Sequence, residues 1–145
     1  MKRNKYNARK VKYNGIEFDS KLELDIYIML KNAEETGKIL NLYKNNKSVI
    51  LAKMGYFLKN GKKSKVTDIK YKYDFSFYAR SVTLFGHDLK DINVNVEIKS
   101  TQTAKARDYS LRRRLYLNTL EKDEVFLEIV YDKKKGYKTT LWSVI

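Results

Sequence analysis

Apolar positions along the chain change period several times, and each change marks an element. Over residues 20 to 36 the spacing is helical: Ser20 with Glu23 three residues later is the capping-box pattern, and Gly37 stands where a left-handed closing residue is wanted. The run Ile26-Tyr27-Ile28-Met29-Leu30 is apolar nearly all round, which predicts burial on more than one side. At about 100° per residue Glu23 falls on the arc of Ile26, Tyr27 and Leu30, whereas Asp25 points away. One carboxylate is thereby placed among core-facing neighbours.

Beyond the helix the period shortens to two. Ser48 to Ala52 and Tyr56 to Leu58 read as strands, and Asn60-Gly61 after the second is a strong hairpin-turn signal. Val66 to Tyr78 alternates over one long stretch, with Tyr71, Tyr73, Phe75 and Phe77 on one face and Lys72, Asp74 and Ser76 on the other. After a polar turn at Gly86-His87-Asp88, Asn93 to Ser100 alternates again, with Val94, Val96 and Ile98 opposite Asn95, Glu97 and Lys99. His87 reads as a turn residue. A helix is expected over 104 to 121, with Leu111 and Leu115 on one apolar line and Tyr109, Tyr116 and Leu120 on a second. Val125 to Tyr131 and Thr139 to Val144 are the last strands, joined through Lys133-Lys134-Lys135-Gly136. The order is one helix, three or four strands, one helix and two strands, which fits an α/β or α+β fold with a mixed sheet flanked by helices.

Composition narrows what such a fold can do. The chain has 145 residues, which suits one domain, and 43% of them are apolar, enough for a core. It has no cysteine and one histidine, so disulfides, thiolate nucleophiles, zinc fingers and histidine pairs are excluded. Catalysis, if any, rests on carboxylates and lysines. No stretch nears the ~20 apolar residues that cross a bilayer, and no apolar segment follows the basic N-terminus, so a soluble cytoplasmic protein without membrane contact is expected. A net charge of +14 points to a polyanionic partner, with nucleic acid first. That charge is clustered in a basic arm at residues 1 to 14, including Arg9, Lys10 and Lys12, around Lys62 and Lys63, at Arg112-Arg113-Arg114, and at Lys133 to Lys135. Three consecutive arginines span about 200° of a helix, so they do not all face one partner. Tyr6 and Tyr13 add stacking surface to the arm.

Phosphodiester hydrolysis without histidine or cysteine is feasible if carboxylates hold Mg²⁺, a hard cation that prefers oxygen ligands. It needs two or three acids and a lysine on one side of a sheet. Glu97 and Lys99 share a strand face, and Asp74 lies on the polar face of a second strand. If the strands are neighbours, about 4.8 Å apart, Asp74 and Glu97 can share one cation, with the Ile98 carbonyl as a further ligand and Glu23 completing the site from the helix. The acidic-x-Lys spacing alone decides nothing, since five such triplets occur and roughly three are expected by chance. Context separates Glu97-Ile98-Lys99: it closes an alternating strand, follows a strand carrying Asp74 and precedes a basic helix.

The ordered set Phe18-Asp19-Ser20-Lys21-Leu22-Glu23, Tyr73-Asp74-Phe75, Val96-Glu97-Ile98-Lys99, a basic helix and a Phe-Leu-Glu-Ile-Val strand resembles the PD-(D/E)xK nuclease superfamily. Lys5 to Val11 followed by Gly15 to Glu23 is similar to the opening of small phage-encoded nucleases, and the set as a whole to Holliday-junction resolvases on the same core. The likeness spans roughly residues 5 to 131. It implies a restriction-endonuclease-like αβββαβ core, dependence on Mg²⁺ or Mn²⁺, and DNA cleavage leaving a 5′ phosphate. Carried over by position, Asp74 and Glu97 are the metal ligands, Lys99 the water-orienting lysine and Glu23 the helix acid. The family's proline before the aspartate is Tyr73 here.

The expectation is therefore a single nuclease domain over residues 1–145, a phage-type endonuclease working in the bacterial cytoplasm on branched DNA as a homodimer. Arg9, Lys10, Lys12, Lys62, Lys63 and Arg112 to Arg114 would contact the DNA. Other readings stay open. Glu23 can serve as a capping-box acid, Asp74 and Glu97 as ordinary polar-face residues, and the whole as a non-catalytic DNA-binding module or an RNA-directed nuclease.

Overall fold

The computed structural model describes residues 9–145, so Lys2, Arg3, Lys5 and Tyr6 of the expected arm lie outside the described residues. The remainder of the arm enters a small hairpin. β1 (Val11–Tyr13) and β2 (Ile16–Phe18) pair across Asn14-Gly15, both at positive φ, the same turn chemistry as at Asn60-Gly61. α1 (Lys21–Glu35) follows, with the Ser20 hydroxyl accepting from the Glu23 amide at 3.1 Å and Gly37 at φ 77° after the last turn. Its buried residues are Glu23, Ile26, Tyr27 and Leu30, the predicted arc; Ile28 and Met29 are only half-buried, so the helix covers one face rather than several.

Five strands form the central mixed sheet: β3 (Ile39–Lys44), β8 (Phe75–Leu84), β9 (His87–Ser100), β10 (Glu124–Asp132) and β11 (Gly136–Ser143), in the spatial order β11-β10-β9-β8-β3. Only β9 and β10 run parallel. Between β3 and β8 the chain makes β4 (Val49–Ala52), β5 (Tyr56–Lys59), β6 (Lys62–Lys65) and β7 (Ile69–Tyr71), which form two small antiparallel pairs, β4 with β7 and β5 with β6. After β9 come α2 (Thr101–Ala104), a single turn that was not expected, and α3 (Arg107–Leu117), a shorter form of the helix expected over 104 to 121.

The sheet has a core on each side. Phe75, Phe77, Val94, Val96, Val125 and Leu127 pack with Phe18, Ile26 and Leu30 under α1, each large side chain contributing about 1.5–3 kcal/mol by leaving water. Tyr71, Tyr109, Tyr116 and Phe126 form a second, aromatic cluster on the α3 side, with Tyr116 ring centroids 5.0 Å from Tyr71 and 5.1 Å from Phe126. The α3 line that is buried is Tyr109 and Tyr116; Leu111 is exposed.

Several sequence expectations change here. β3, β1 and β2 add strands the alternation did not mark; β3 carries Asn41 at φ 57° and a register shift that interrupts its period. Val66 to Tyr78 is not one strand. It breaks over residues 72–74, and the break turns the chain so that Tyr71 joins the α3 side while Phe75 faces Phe18 and Tyr27 on the other. His87 is the first residue of β9, its Nε2 2.9 Å from the Thr139 hydroxyl, and Phe85-Gly86 makes the turn.

Buried Asn45 holds the break. Its side-chain amide donates to the carbonyls of Tyr73 and Lys47, both at 2.9 Å, its carboxamide oxygen accepts from the Lys47 amide, and its own amide donates to the Asp74 carbonyl at 2.8 Å. Asn45→Ala should lower the free energy of unfolding by about 1–3 kcal/mol, because it strands buried carbonyls. Urea denaturation of the purified protein checks this, and an unchanged midpoint would show that the break is held by other contacts.

Candidate active site

Asp74 and Glu97 meet at the point where β8 begins, and Glu23 lies within electrostatic reach of Asp74. Glu23 arrives on the buried arc of α1, Asp74 from the break before β8, and Glu97 from the α3-facing side of β9. The β8–β9 register puts Phe75 opposite Val96, which sets Asp74 beside Glu97 as neighbouring strands would. Glu23 and Glu97 are 4% and 2% exposed. Asp74 as a residue is half-buried, but its carboxylate is turned inward and accepts the Ile98 amide at 2.7 Å, while its own amide donates to the Val96 carbonyl at 2.8 Å. The Ile98 amide thus ties the Asp74 carboxylate to β9 next to Glu97.

Two lysines balance the acids. Lys99 Nζ is 3.2 Å from Glu97 Oε1 and sits over the Tyr109 ring at 4.9 Å. Lys44 Nζ is 3.8 Å from Glu23 Oε1 and 5.8 Å from the Phe18 ring centroid. Burial is the largest influence on Glu23, pushing its carboxyl up to about 8; the charge of Asp74 adds to this and that of Lys44 opposes it. Asp74 is also held well above the ordinary aspartate range, first by burial, then by the charge and hydrogen-bonding proximity of Glu97. Burial first, then the charge of Glu97, keeps the Tyr71 phenol protonated.

The site therefore concentrates carboxyl groups where water is scarce. Glu23 Oε1 and Glu97 Oε2 are buried without a hydrogen-bond partner, a costly state for carboxylate oxygens. Among the described residues no three acids form a ready-made cage for an ion. The donor set still fits a hard divalent cation: all the oxygens belong to carboxyl groups, two lack a hydrogen-bond partner, and burial, then neighbouring negative charge, raises two of the three acids.

Next to Glu97 and Lys99 opens a cavity of about 250 Å³, also lined by Lys70, Lys72, Tyr109 and Arg112. Of the arginine triplet, then, Arg112 faces this cavity, although it also pairs with Asp108 at 3.4 Å. Arg113 is committed inward, donating to Glu128 at 3.1 Å, with its guanidinium over the Tyr109 and Trp142 rings, while Arg114 is exposed. The Tyr109 hydroxyl also donates to Glu128, which lies beside Glu97 in the parallel β9–β10 register. Lys62 and Lys63 are exposed on the β5–β6 hairpin and do not line this cavity. Arg9 and Lys12 are exposed, and Lys10 pairs with Glu17 at 3.4 Å.

Lys44, Asn45 and Tyr71 were not expected at the site. Asn45-Asn46-Lys47 carries an Asx-turn signal that could have marked a held loop; nothing in the spacing of Lys44 separates it from the other lysines.

A pH dependence follows from Glu23. The folded chain keeps its proton to about pH 8, whereas an unfolded chain loses it near the ordinary glutamate value of 4.5. Between those limits the folded state binds more protons, so stability falls as pH rises, by at most roughly 1.4 kcal/mol per unit. Asp74 acts with the same sign. In EDTA the melting temperature should decline from pH 5 to pH 8, and Glu23→Gln should flatten that slope; an equal slope in the variant would place the titration elsewhere.

No curated protein and no solved structure matches the chain. A family described as a protein of unknown function (DUF1064) matches residues 3–125, a span that contains Glu23, Asp74, Glu97 and Lys99. The chain belongs to the DUF1064 family.

Proposed function

We propose that the protein is a metal-dependent DNA endonuclease of the PD-(D/E)xK type, acting on branched or otherwise structured DNA as a homodimer in the cytoplasm of a phage-infected bacterium. The observation that carries this reading is the succession Glu23, Asp74, Glu97 and Lys99, separated by up to 76 positions in the chain, each within charge or hydrogen-bond reach of the next beside a basic cavity. The element order supports it too: α1, β3, β8, β9, α3 and β10 follow an αβββαβ path, with the last strand parallel to the third. The charge of +14 and the lysines and arginine around the cavity suit a phosphate backbone.

Asp74 and Glu97 would hold Mg²⁺ or Mn²⁺, with the Ile98 carbonyl and Glu23 beside them. When bound, the cation supplies charge stabilisation on the phosphate and makes water more acidic. The chain's own groups do the rest. Lys99, held against Glu97 and the Tyr109 face, orients the attacking water and offsets charge developing on the phosphate. Arg112, Lys70 and Lys72 hold the strand backbone in the cavity. Lys44 partly compensates Glu23, and Asn45 keeps Asp74 at its post.

One observation favours a second reading, a non-catalytic DNA-binding module: the acids are not gathered into a ready-made cage among the described residues. The two readings separate in a cleavage assay. A four-way junction should be cut in Mg²⁺ or Mn²⁺ and not in EDTA, and Asp74→Ala or Glu97→Ala should lower the rate by roughly a hundredfold or more. Cleavage that survives either substitution removes this site assignment, and binding without cleavage of junction, flap, duplex, single-stranded DNA or RNA supports the module. Lys99→Ala should reduce turnover more than junction affinity; equal losses would make Lys99 a phosphate contact only.

A further inference from the structure

The β5–β6 hairpin plays no part in the acid cluster. It forms a two-stranded sheet of its own, with Tyr56, Phe57 and Leu58 exposed at 61, 54 and 76%. Three consecutive apolar side chains in water are a cost, and an isolated two-stranded hairpin is only marginally stable. Register sorts its side chains. One face carries Tyr56 and Leu58 opposite Lys65 and Lys63; the other carries Phe57 opposite Ser64, with Lys59 opposite Lys62. Each face therefore presents an apolar group flanked by two lysines, and the hairpin strands contain no acid.

That pattern selects among partners. A hairpin that packs one face against a protein, or against a second copy, keeps its charges on the other face, whereas here each face carries two lysines. Entry into a membrane tip first would drive Lys59, Asn60, Gly61 and Lys62 deepest, which is the wrong polarity for a lipid interior. A partner that meets both faces at once, with anionic walls and stackable rings, matches both kinds of side chain. Aromatic and aliphatic surface among lysines is the chemistry that grips unpaired bases between phosphate backbones. Lys63 Nζ already sits 4.5 Å over the Tyr56 ring, so lysine and aromatic are held as one unit.

We infer that the β5–β6 hairpin is a wedge that inserts where two nucleic-acid strands part, with Phe57 and Leu58 against the exposed bases and Lys59, Lys62, Lys63 and Lys65 on the two backbones. This deepens the nuclease reading, resting on it only for the choice of nucleic acid as partner. It assigns the preference for branched over continuous duplex to residues outside the acid cluster.

Binding of the full-length chain in EDTA, where no strand is cut, tests the wedge apart from catalysis. Fluorescence anisotropy would compare a fork with a blunt duplex of the same sequence, 2-aminopurine at the branch point would report unstacking, and circular dichroism would confirm that each variant is folded. Phe57→Ser with Leu58→Ser should weaken fork binding roughly tenfold and abolish the 2-aminopurine rise, with little change for duplex. Lys59→Gln with Lys62→Gln should weaken both and reduce the salt slope by about 2. Equal loss on fork and duplex, or none, overturns the wedge; so does binding of phosphatidylserine vesicles that depends on Phe57 and Leu58, or a dimer that these substitutions dissociate. Junction cleavage with no fork preference would remove the wedge alone, whereas fork preference without cleavage of any substrate would remove the nuclease reading alone.

Discussion

The Ile98 amide donates to the Asp74 carboxylate at 2.7 Å at the position where β8 has stopped supplying backbone acceptors to β9. A side chain thus continues a ladder that the main chain has left. This one bond has three effects. It satisfies an amide that would otherwise be buried without a partner, it draws Asp74 in beside Glu97, and it leaves Asp74 within electrostatic reach of Glu23 on the helix. The helix cap, the break at 72–74 and the clamp by Asn45 all serve to make that bond possible.

The two sides of the sheet are different solvents. On the α1 side, Val94, Val96, Val125 and Leu127 face an apolar core with one acid, Glu23, at its margin. On the α3 side, Asn95, Glu97 and Glu128 are buried among tyrosines and a committed arginine. Asp74 sits where these two environments touch: Glu97 acts on it from the α3 side, and its own charge acts on Glu23 on the α1 side. Arg113 shows the same division: its neighbours Arg112 and Arg114 are exposed, whereas its own guanidinium is committed to an ion pair with Glu128 at 3.1 Å.

How far the sequence could be read depended on how local each signal was. The α1 arc with Glu23 inward, the Asn60-Gly61 turn, and the adjacency of Asp74 to Glu97 were all legible, because capping, turn chemistry and alternation act within a few residues. The Asn14-Gly15 hairpin carried the same turn signal as Asn60-Gly61, yet the basic residues around it read as an arm. β3 was hidden because Asn41 at φ 57° breaks its alternation, and the break at 72–74 because its cause, Asn45, lies 28 positions from Tyr73. The helix expected over 104 to 121 is α3 alone, shortened at both ends, and the one-turn α2 capped by Ser100 precedes it. Lys44 was illegible in a chain with 24 lysines; only the tertiary fold distinguishes it.

The parallel pairing of β9 with β10 has a consequence for the order in which the protein is assembled. The β1–β2, β5–β6 and β8–β9 hairpins close over turns of a few residues, but β10 reaches β9 only after the chain has passed through α2 and α3. Contacts that span more chain form later, because a larger loop must be closed before they repay its entropy. Until β10 docks, Glu97 has no neighbour on one side and the Tyr109–Glu128–Arg113 network does not exist. A growing chain therefore displays its basic hairpins well before its acids are sealed from water, and the buried cluster is among the last features of the molecule to mature.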